Sequence, residues 1–335
     1  MLKTISGLLL LTSVLWPQKL NGPAEILKIL TDSRIHYRLD LLNSVLVDTL
    51  DYPLNQNDFY QKIDGSSITL MHYEYDSESQ EFFNDAEKLY QKDDFAGARE
   101  MYSKVLSKNR NNSKIMTYIG QTYNHEANAK EAIKWYKKAV KANFIDYMAH
   151  WFLADAYFMS NKPKDALREI YIAHVLNRNN PRILYSLSRI LQSNDLIYDD
   201  WSFSPQYELY TRNDTVIVNF TAEWLAYAMC KAAWQFEPNY RSDKIGSNSQ
   251  LSSQEETECL ANLVIAHENA NGDVPSKVDA INRLSTVFKD KAHIEFIFYE
   301  IWMRPYPHVV FTQPEELIER AAKYFGTFHV KKKAG

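Results

Sequence analysis

The sequence predicts an all-α chain built on a helical solenoid, with further helices after it and one small inserted β-hairpin. Three observations carry that expectation. Small and aromatic residues recur every 34 positions, without a gap, across residues 79–180. Glycine is scarce, nine in 335 residues, which suits helices better than the glycine-rich turns of a nucleotide-binding α/β enzyme. Outside the repeat, several stretches place apolar residues at helical spacing. A hydrophobic content of 45% and a charged content of 24% are those of a folded chain.

In chain order, the first element is MLKTISGLLLLTSVLWPQ. Lys3 gives it a positive start, Ile5 to Trp16 form an apolar run, and Pro17 ends the run. That run is shorter than the roughly 20 residues needed to span a bilayer, and it has the layout of a secretory signal peptide. The expectation is therefore export to the periplasm or beyond, with residues 1–20 as the signal and cleavage between 16 and 22. No later segment is apolar enough for a transmembrane anchor. Residues 21–78 follow as an N-terminal cap that closes the first repeat. Within them PAEILKILTDSRI has helical spacing and SSITLMHYEY alternates as a short strand does.

The repeat is set by the stretch ADAYFMSNKPKDA, residues 154–166. One period before Ala154 stands Gly120, and one period before that Ala86; Ala166 leads in the same way to Ala132 and Ala98. The same step takes Ala173 to Ala139 and Val105, Tyr157 to Tyr123 and Leu89, and Ile170 to Tyr136 and Tyr102. Small residues at a helix crossing let two axes approach, and large ones fill the space beside them. One such hairpin cannot bury its apolar face alone, so neighbours must stack. The pattern resembles the tetratricopeptide repeat (TPR). The resemblance implies a superhelical solenoid over 79–192: repeats 79–112, 113–146 and 147–180, plus a half repeat from Pro181 with Leu184, Leu187, Ser188 and Leu191 in register. The sequence departs from the family where Arg110, Phe144 and Arg178 stand in place of the usual inter-repeat proline.

The resemblance also implies a concave face made by the first helix of each repeat. By position, that face holds Gln80, Phe83, Glu87 and Tyr90, then Lys114, Thr117, Gln121 and Asn124. Met148, Trp151, Asp155 and Phe158 follow, then Arg182, Tyr185 and Arg189. Phe83 and Glu87 stand where some family members clamp a terminal carboxylate with Lys and Asn, so chaperone-tail binding is not supported. Two readings stay open: a groove for a peptide or protein partner, with aromatic area and arginine anchors, or a face covered by the chain's own flanks.

Charge bears on the partner. Residues 79–192 carry 18 Lys and Arg against 12 Asp and Glu, while 21–78 and 193–335 are each net −6. A basic solenoid between acidic flanks favours docking within the chain over nucleic acid, although salt screens such charges beyond roughly 8 Å. The most basic stretch is KEAIKWYKK, residues 130–138, on a second helix, where it reads as a solvated outer face.

Residues 193–221 break the repeat. YELYTRNDTVIVNF alternates on either side of Arg212-Asn213-Asp214, which predicts a β-hairpin over 207–220. Trp201, Phe203, Tyr207 and Tyr210 give this insertion an aromatic load, read as a core shared with Trp224, Tyr227 and Trp234. Residues 222–330 return to helix, over about 222–237, 253–271, 275–289, 291–303 and 314–325. The helix at 253 opens with Ser253-x-x-Glu256, a capping-box spacing. Cys230 and Cys259 lie on two helices whose connecting loop is centred midway between them. An antiparallel hairpin would bring both to one height, within reach of a disulfide; two buried free thiols are the other reading. The whole chain is similar in outline to exported TPR-plus-helical proteins of Bacteroidetes type.

No phosphate loop, dinucleotide fingerprint, nucleophile elbow, zincin motif or C-x-x-C occurs, so no catalytic residue, cofactor or metal is expected. Three N-x-[ST] sequons stand at Asn111, Asn213 and Asn219. The first functional expectation is an exported protein-interaction scaffold. The alternative is a hydrolase-like or other enzyme, its site between the 193–221 insertion and the C-terminal helices, using Asp199, Glu223 or Glu237.

Overall fold

A computed structural model of the protein describes residues 20–46, 54, 58–65, 67–245, 251–272 and 274–333. The expected signal at 1–20 lies outside the described residues except for Leu20. The elements run α1 (Pro23–Asp32), β1 (His36–Leu41), β2 (Phe59–Asp64), β3 (Ser67–His72), α2 (Ser77–Tyr90), α3 (Phe95–Lys108), α4 (Ser113–His125) and α5 (Ala129–Ala142). They continue with α6 (Tyr147–Met159), α7 (Pro163–Leu176), α8 (Pro181–Gln192), β4 (Leu196–Tyr198), β5 (Tyr207–Arg212), β6 (Thr215–Phe220), α9 (Leu225–Phe236), α10 (Tyr240–Ile245) and α11 (Ser253–Asn271). Last come α12 (Asp279–Lys289), α13 (His293–Phe296), a π-turn (Ile297–Trp302), a 3-10 turn (Pro307–Thr312), α14 (Glu315–Phe328) and β7 (Val330–Lys332). The chain divides into two compact units; among the described residues the first holds 54–200 and 303–333 and the second 20–46 and 201–302.

In the first unit, α2–α3, α4–α5 and α6–α7 are three antiparallel hairpins stacked in chain order, the expected helical solenoid, which α8 continues. Local chemistry sets each start and stop with the same period. Asn112, Asp146 and Asn180 cap α4, α6 and α8 by accepting from backbone N–H groups in the first turn, and Asp94 and Asn128 do so for α3 and α5. Lys162, next in that series, has no side-chain cap and is followed by Pro163. Asp93, Ala127, Asn161 and Asp195 keep the register with φ between 54° and 60°, closing each first helix with a left-handed residue. The core is made by the residues that set the register: Ala86, Ala98, Tyr102, Val105, Ala132, Tyr136, Ala139, Ala154, Ala166, Ile170 and Ala173 are all buried. Gly120 lies directly under the Tyr136 ring, with no room for a Cβ.

The expected cap and C-terminal region are both redistributed. Only the second part of 21–78 belongs to the solenoid's unit. There β2 and β3 form an antiparallel hairpin, Phe59↔His72 to Asp64↔Ser67, and Tyr73 bonds with Ser113 at the start of α4. The carboxyl end of the chain joins the same unit. α14 packs on α7, where Gly326 brings its backbone so close that a Cβ would stand 2.7 Å from the Tyr171 ring. Phe325 sits against Tyr171 and His174, at ring distances of 5.4 and 4.4 Å. β7 then pairs antiparallel with β4, which directly follows α8.

In the second unit the expected hairpin is present: β5 and β6 pair antiparallel from Tyr207↔Phe220 to Arg212↔Thr215. Asn213 and Asp214 both take positive φ, 48° and 58°, the tight turn whose twist matches the strands. β1 adds a third, parallel strand, His36↔Thr215 to Leu41↔Phe220. This overturns the reading of 21–78 as a single cap. A parallel partner so distant in the chain leaves no local trace in either strand. Val216, Val218 and Phe220 bury against Ala228 and Ala232 of α9, and Phe203, Tyr207, Trp224 and Tyr227 make part of the expected aromatic core, whereas Tyr210 is exposed and Trp234 meets the Tyr240 ring.

Candidate functional site

The first helices of the repeats carry four side-chain rows, each advancing by one repeat, which the resemblance expects on a concave face. One row is Phe83, Thr117, Trp151 and Tyr185; the next is Glu87, Gln121, Asp155 and Arg189. Tyr90, Asn124 and Phe158 form a third row, and Gln80, Lys114, Met148 and Arg182 a fourth. The two ends of this face differ.

At the amino-terminal end the aromatics are engaged in the fold. Phe83 packs among Tyr75, Tyr102 and Tyr118, with centroids 5.9 to 6.2 Å apart. The Tyr102 hydroxyl donates to Glu87. Tyr90 meets Phe95 and His125 edge-on at 5.6 and 5.4 Å. Burial, with the Glu87 carboxylate beside them, pushes the Tyr118 and Tyr90 hydroxyls up from their ordinary range. Thr117 is buried, while Lys114, Gln121, Asn124 and Met148 are partly exposed.

The carboxyl-terminal end is open and organised. Trp151 Nε1 donates to Ser186 Oγ at 2.8 Å, and Ser186 donates to Asp155 Oδ2 at 3.1 Å, tying α6 to α8. Burial raises the Asp155 carboxyl, and Ser186 and the Arg189 charge oppose that rise. Arg189 stands over the Phe158 ring at 5.1 Å and the Tyr185 ring at 5.7 Å, an arrangement of cation and ring faces that holds the guanidinium outward. Tyr185 is 66% exposed, and Arg182 and Arg189 are exposed with it. This end offers large aromatic area, two cations and a half-buried acceptor within one helix pair.

Sequence reasoning did not single out the asparagines that end each second helix. Asn109, Asn143 and Asn177 recur with the repeat as the carboxyl-terminal caps of α3, α5 and α7. Asn143 Nδ2 donates to the Phe59 carbonyl at 2.9 Å. Asn177 grips the backbone of Leu54 from both sides, donating to its carbonyl at 2.7 Å and accepting from its N–H at 3.0 Å. Asn143 and Asn177 thus hold the chain's own backbone, at Phe59 and Leu54, beside the ends of α5 and α7. Their period was visible; that they meet the backbone at Phe59 and Leu54 was not.

Of the residues suggested for an enzyme, Asp199 belongs to the first unit and Glu223 and Glu237 to the second. In the first unit Asp199 pairs with Lys331 at 3.1 Å, and its N–H donates to the His329 carbonyl. In the second, Glu237 accepts from the Tyr37 hydroxyl at 2.6 Å and Glu223 is exposed beside an apolar groove with Pro23 and Ile26. Among the described residues, no group of three or more His, Cys, Asp or Glu could hold a metal ion, and no helix is long and apolar enough to cross a membrane.

Cys230 and Cys259 meet between α9 and α11, fully buried, with their sulfurs 2.7 Å apart. Burial, and then the neighbouring Cys230, pushes the Cys259 thiol well up. The same helix pair holds charge that the sequence did not foretell. Lys231 pairs with Glu255 at 2.8 Å and with Glu256, and Tyr227 donates to Glu256 at 2.9 Å. The cap of α11 is Ser252, with Glu255 as its third residue, and not the expected Ser253 and Glu256. Glu256 instead turns inward to the Lys231 ammonium, where a charge-assisted bond outweighs a cap bond. Glu258 is fully buried and accepts from Trp234 Nε1 at 2.7 Å and from the Asn21 N–H at 2.6 Å.

No family model and no curated protein matches the chain. Among solved structures it is similar to the first TPR of Spaghetti (RPAP3), solved with an HSP90 peptide, at 19% identity and a TM-score of 0.34 over 35% of this chain and 93% of that one. It is similar to the Yersinia enterocolitica type III secretion chaperone SycD, solved with a peptide of the translocator YopD, at 14% identity and 0.33 over 36% and 97%. MamA aligns at 18% identity and 0.32 over 67% of this chain and 96% of its own.

Proposed function

We propose that this protein is an exported TPR scaffold that binds a peptide or protein partner through the carboxyl-terminal end of its concave face, and is not an enzyme. The observation that carries this reading is the cluster of exposed Tyr185, Arg182 and Arg189 with partly exposed Trp151 and Phe158, beside the Asp155–Ser186 bond. Exposed rings supply contact area at low entropic expense, and guanidinium groups give orientation through carboxylates or carbonyls on the partner. The export half of the proposal is supported by the N-terminal run ending at Pro17.

The test begins with crosslinking in the native source, followed by titration calorimetry with the peptide so identified. Tyr185→Ala and Arg189→Glu change exposed positions and leave the Trp151–Ser186–Asp155 chain intact. Each should weaken binding by at least tenfold, a loss of about 1.4 kcal/mol. Unchanged affinity in both variants would remove this end of the face from the function.

A further inference from the structure

The second helices form the other face of the solenoid, and one of them differs from its neighbours. α5 carries Lys130, Lys134, Lys137, Lys138 and Lys141, all exposed. At 3.6 residues per turn these five positions fall within an arc of about 100° and span about 16 Å. The opposite side of the helix holds Ala132, Tyr136 and Ala139, all buried.

On the equivalent helices most cations are neutralised. Lys104 pairs with Glu100 at 3.0 Å, and Lys108 with Asp76 at 3.2 Å and with Glu78, on or beside α3. Arg99 of α3 pairs with Glu126 at 2.8 Å, and Arg168 of α7 bonds to Glu169 and Glu319. On α5 only Lys134 meets a carboxylate, Glu131 at 3.0 Å. Among the described residues Lys130, Lys137 and Lys141 have no acidic partner. Lys138 lies over the Trp135 ring at 3.9 Å.

We propose that this lysine stripe docks the protein on an anionic phospholipid surface. Every cation in the stripe is a lysine. A flexible stem with a compact ammonium suits a diffuse sheet of headgroups, whereas geometric recognition of a phosphate or a base edge favours the rigid arginine fork. The stripe lies on the outside of one helix, and Trp135 is covered by Lys138 and packed on Met116, so it offers no stacking platform for bases. Attachment is electrostatic, reversible and sensitive to salt.

The test uses the full chain and sedimentation with phosphatidylcholine vesicles, with and without about one-third phosphatidylglycerol. Wild type should partition onto the anionic vesicles alone and be released by about 0.5 M salt. Lys130→Gln/Lys137→Gln/Lys141→Gln keeps good helix formers on exposed positions, and far-UV circular dichroism verifies the fold. At roughly fivefold per lysine, this triple variant should lose on the order of 100-fold in partitioning. Lys28→Gln/Lys277→Gln/Lys289→Gln removes the same net charge elsewhere and should lose less than about a tenth as much. No partitioning by wild type, equal loss in both variants, or tighter binding to a DNA duplex or to polyglutamate at matched charge would each overturn the proposal.

Discussion

Replacing Gly120 by alanine tests the crossing on which the solenoid is built. Helix propensity alone favours the change: Gly to Ala within a helix is worth about 1 kcal/mol. The structure predicts the opposite sign. A Cβ at Gly120 would overlap three carbons of the Tyr136 ring. That ring is fully buried and stacked on Phe152 at 5.9 Å, so it has no free space to swing into. Overpacking of a closed core costs about 1–3 kcal/mol, and a ring held on both sides belongs in the upper half of that range. Net destabilisation of about 1–2 kcal/mol follows, or a melting temperature roughly 2–8 °C lower for a unit of this size. Thermal and urea unfolding followed by far-UV circular dichroism would measure it. In a Tyr136→Leu background the same change should recover its propensity gain, a coupling of at least about 1 kcal/mol. Gly326→Ala should be milder, since the Tyr171 ring it meets is only partly buried and can yield. A Gly120→Ala protein more stable than wild type would refute the close approach of α4 and α5.

Ala127 holds a φ of 57° where its counterparts are Asp93, Asn161 and Asp195; Ala127→Gly should stabilise by about 0.5–1 kcal/mol in urea titration, because alanine alone of the four lacks a side chain suited to that region. Burial would raise the Glu169 carboxyl, but the hydrogen bond and charge of His150, 2.6 Å away, with Arg168, hold it below its ordinary 4.5. Its folded value being the lower one, its stabilisation is complete above about pH 4.5 and fades as pH falls through the folded value. The stability gap between wild type and Glu169→Gln should therefore be constant from pH 7 to 5 and narrow below that, measured by urea unfolding at each pH. Cys230 and Cys259 are expected to close a disulfide in an oxidising compartment, giving up two protons and two electrons to a disulfide oxidant such as oxidised glutathione. Closing a loop between residues 29 apart stabilises by about 3–4 kcal/mol in the chain-entropy account. Thiol counting on denatured, unreduced protein should find none, and a reductant should lower the melting temperature; two free thiols would count against it.

What could be read in the sequence was what repeats or alternates locally. The repeat register placed the helices and their crossings, because each depends on side chains a few residues apart and on caps beside them. The same pattern placed Phe83 and Trp151 in one row, yet it could not tell that Phe83 is enclosed by Tyr75, Tyr102 and Tyr118 while Tyr185 stands in the open. Aromatic rings look alike in a sequence, and their exposure depends on what arrives from elsewhere in the chain. The Asn213-Asp214 turn was legible because both residues tolerate positive φ. The inward turn of Glu256 was hidden, since its partner Lys231 lies 25 residues away on another helix.

By itself, then, the sequence determined the hairpins, their period and the β5–β6 turn, all consequences of backbone preference and near-neighbour packing. Tertiary structure alone decided that β1 pairs with β6, that α14 seats its Gly326 on Tyr171, and that Asn143 and Asn177 bind the backbone at Phe59 and Leu54. Such pairings are chosen by shape and by hydrogen-bond demand between segments as distant in the chain as His36 and Thr215, and neither segment carries a mark of its partner.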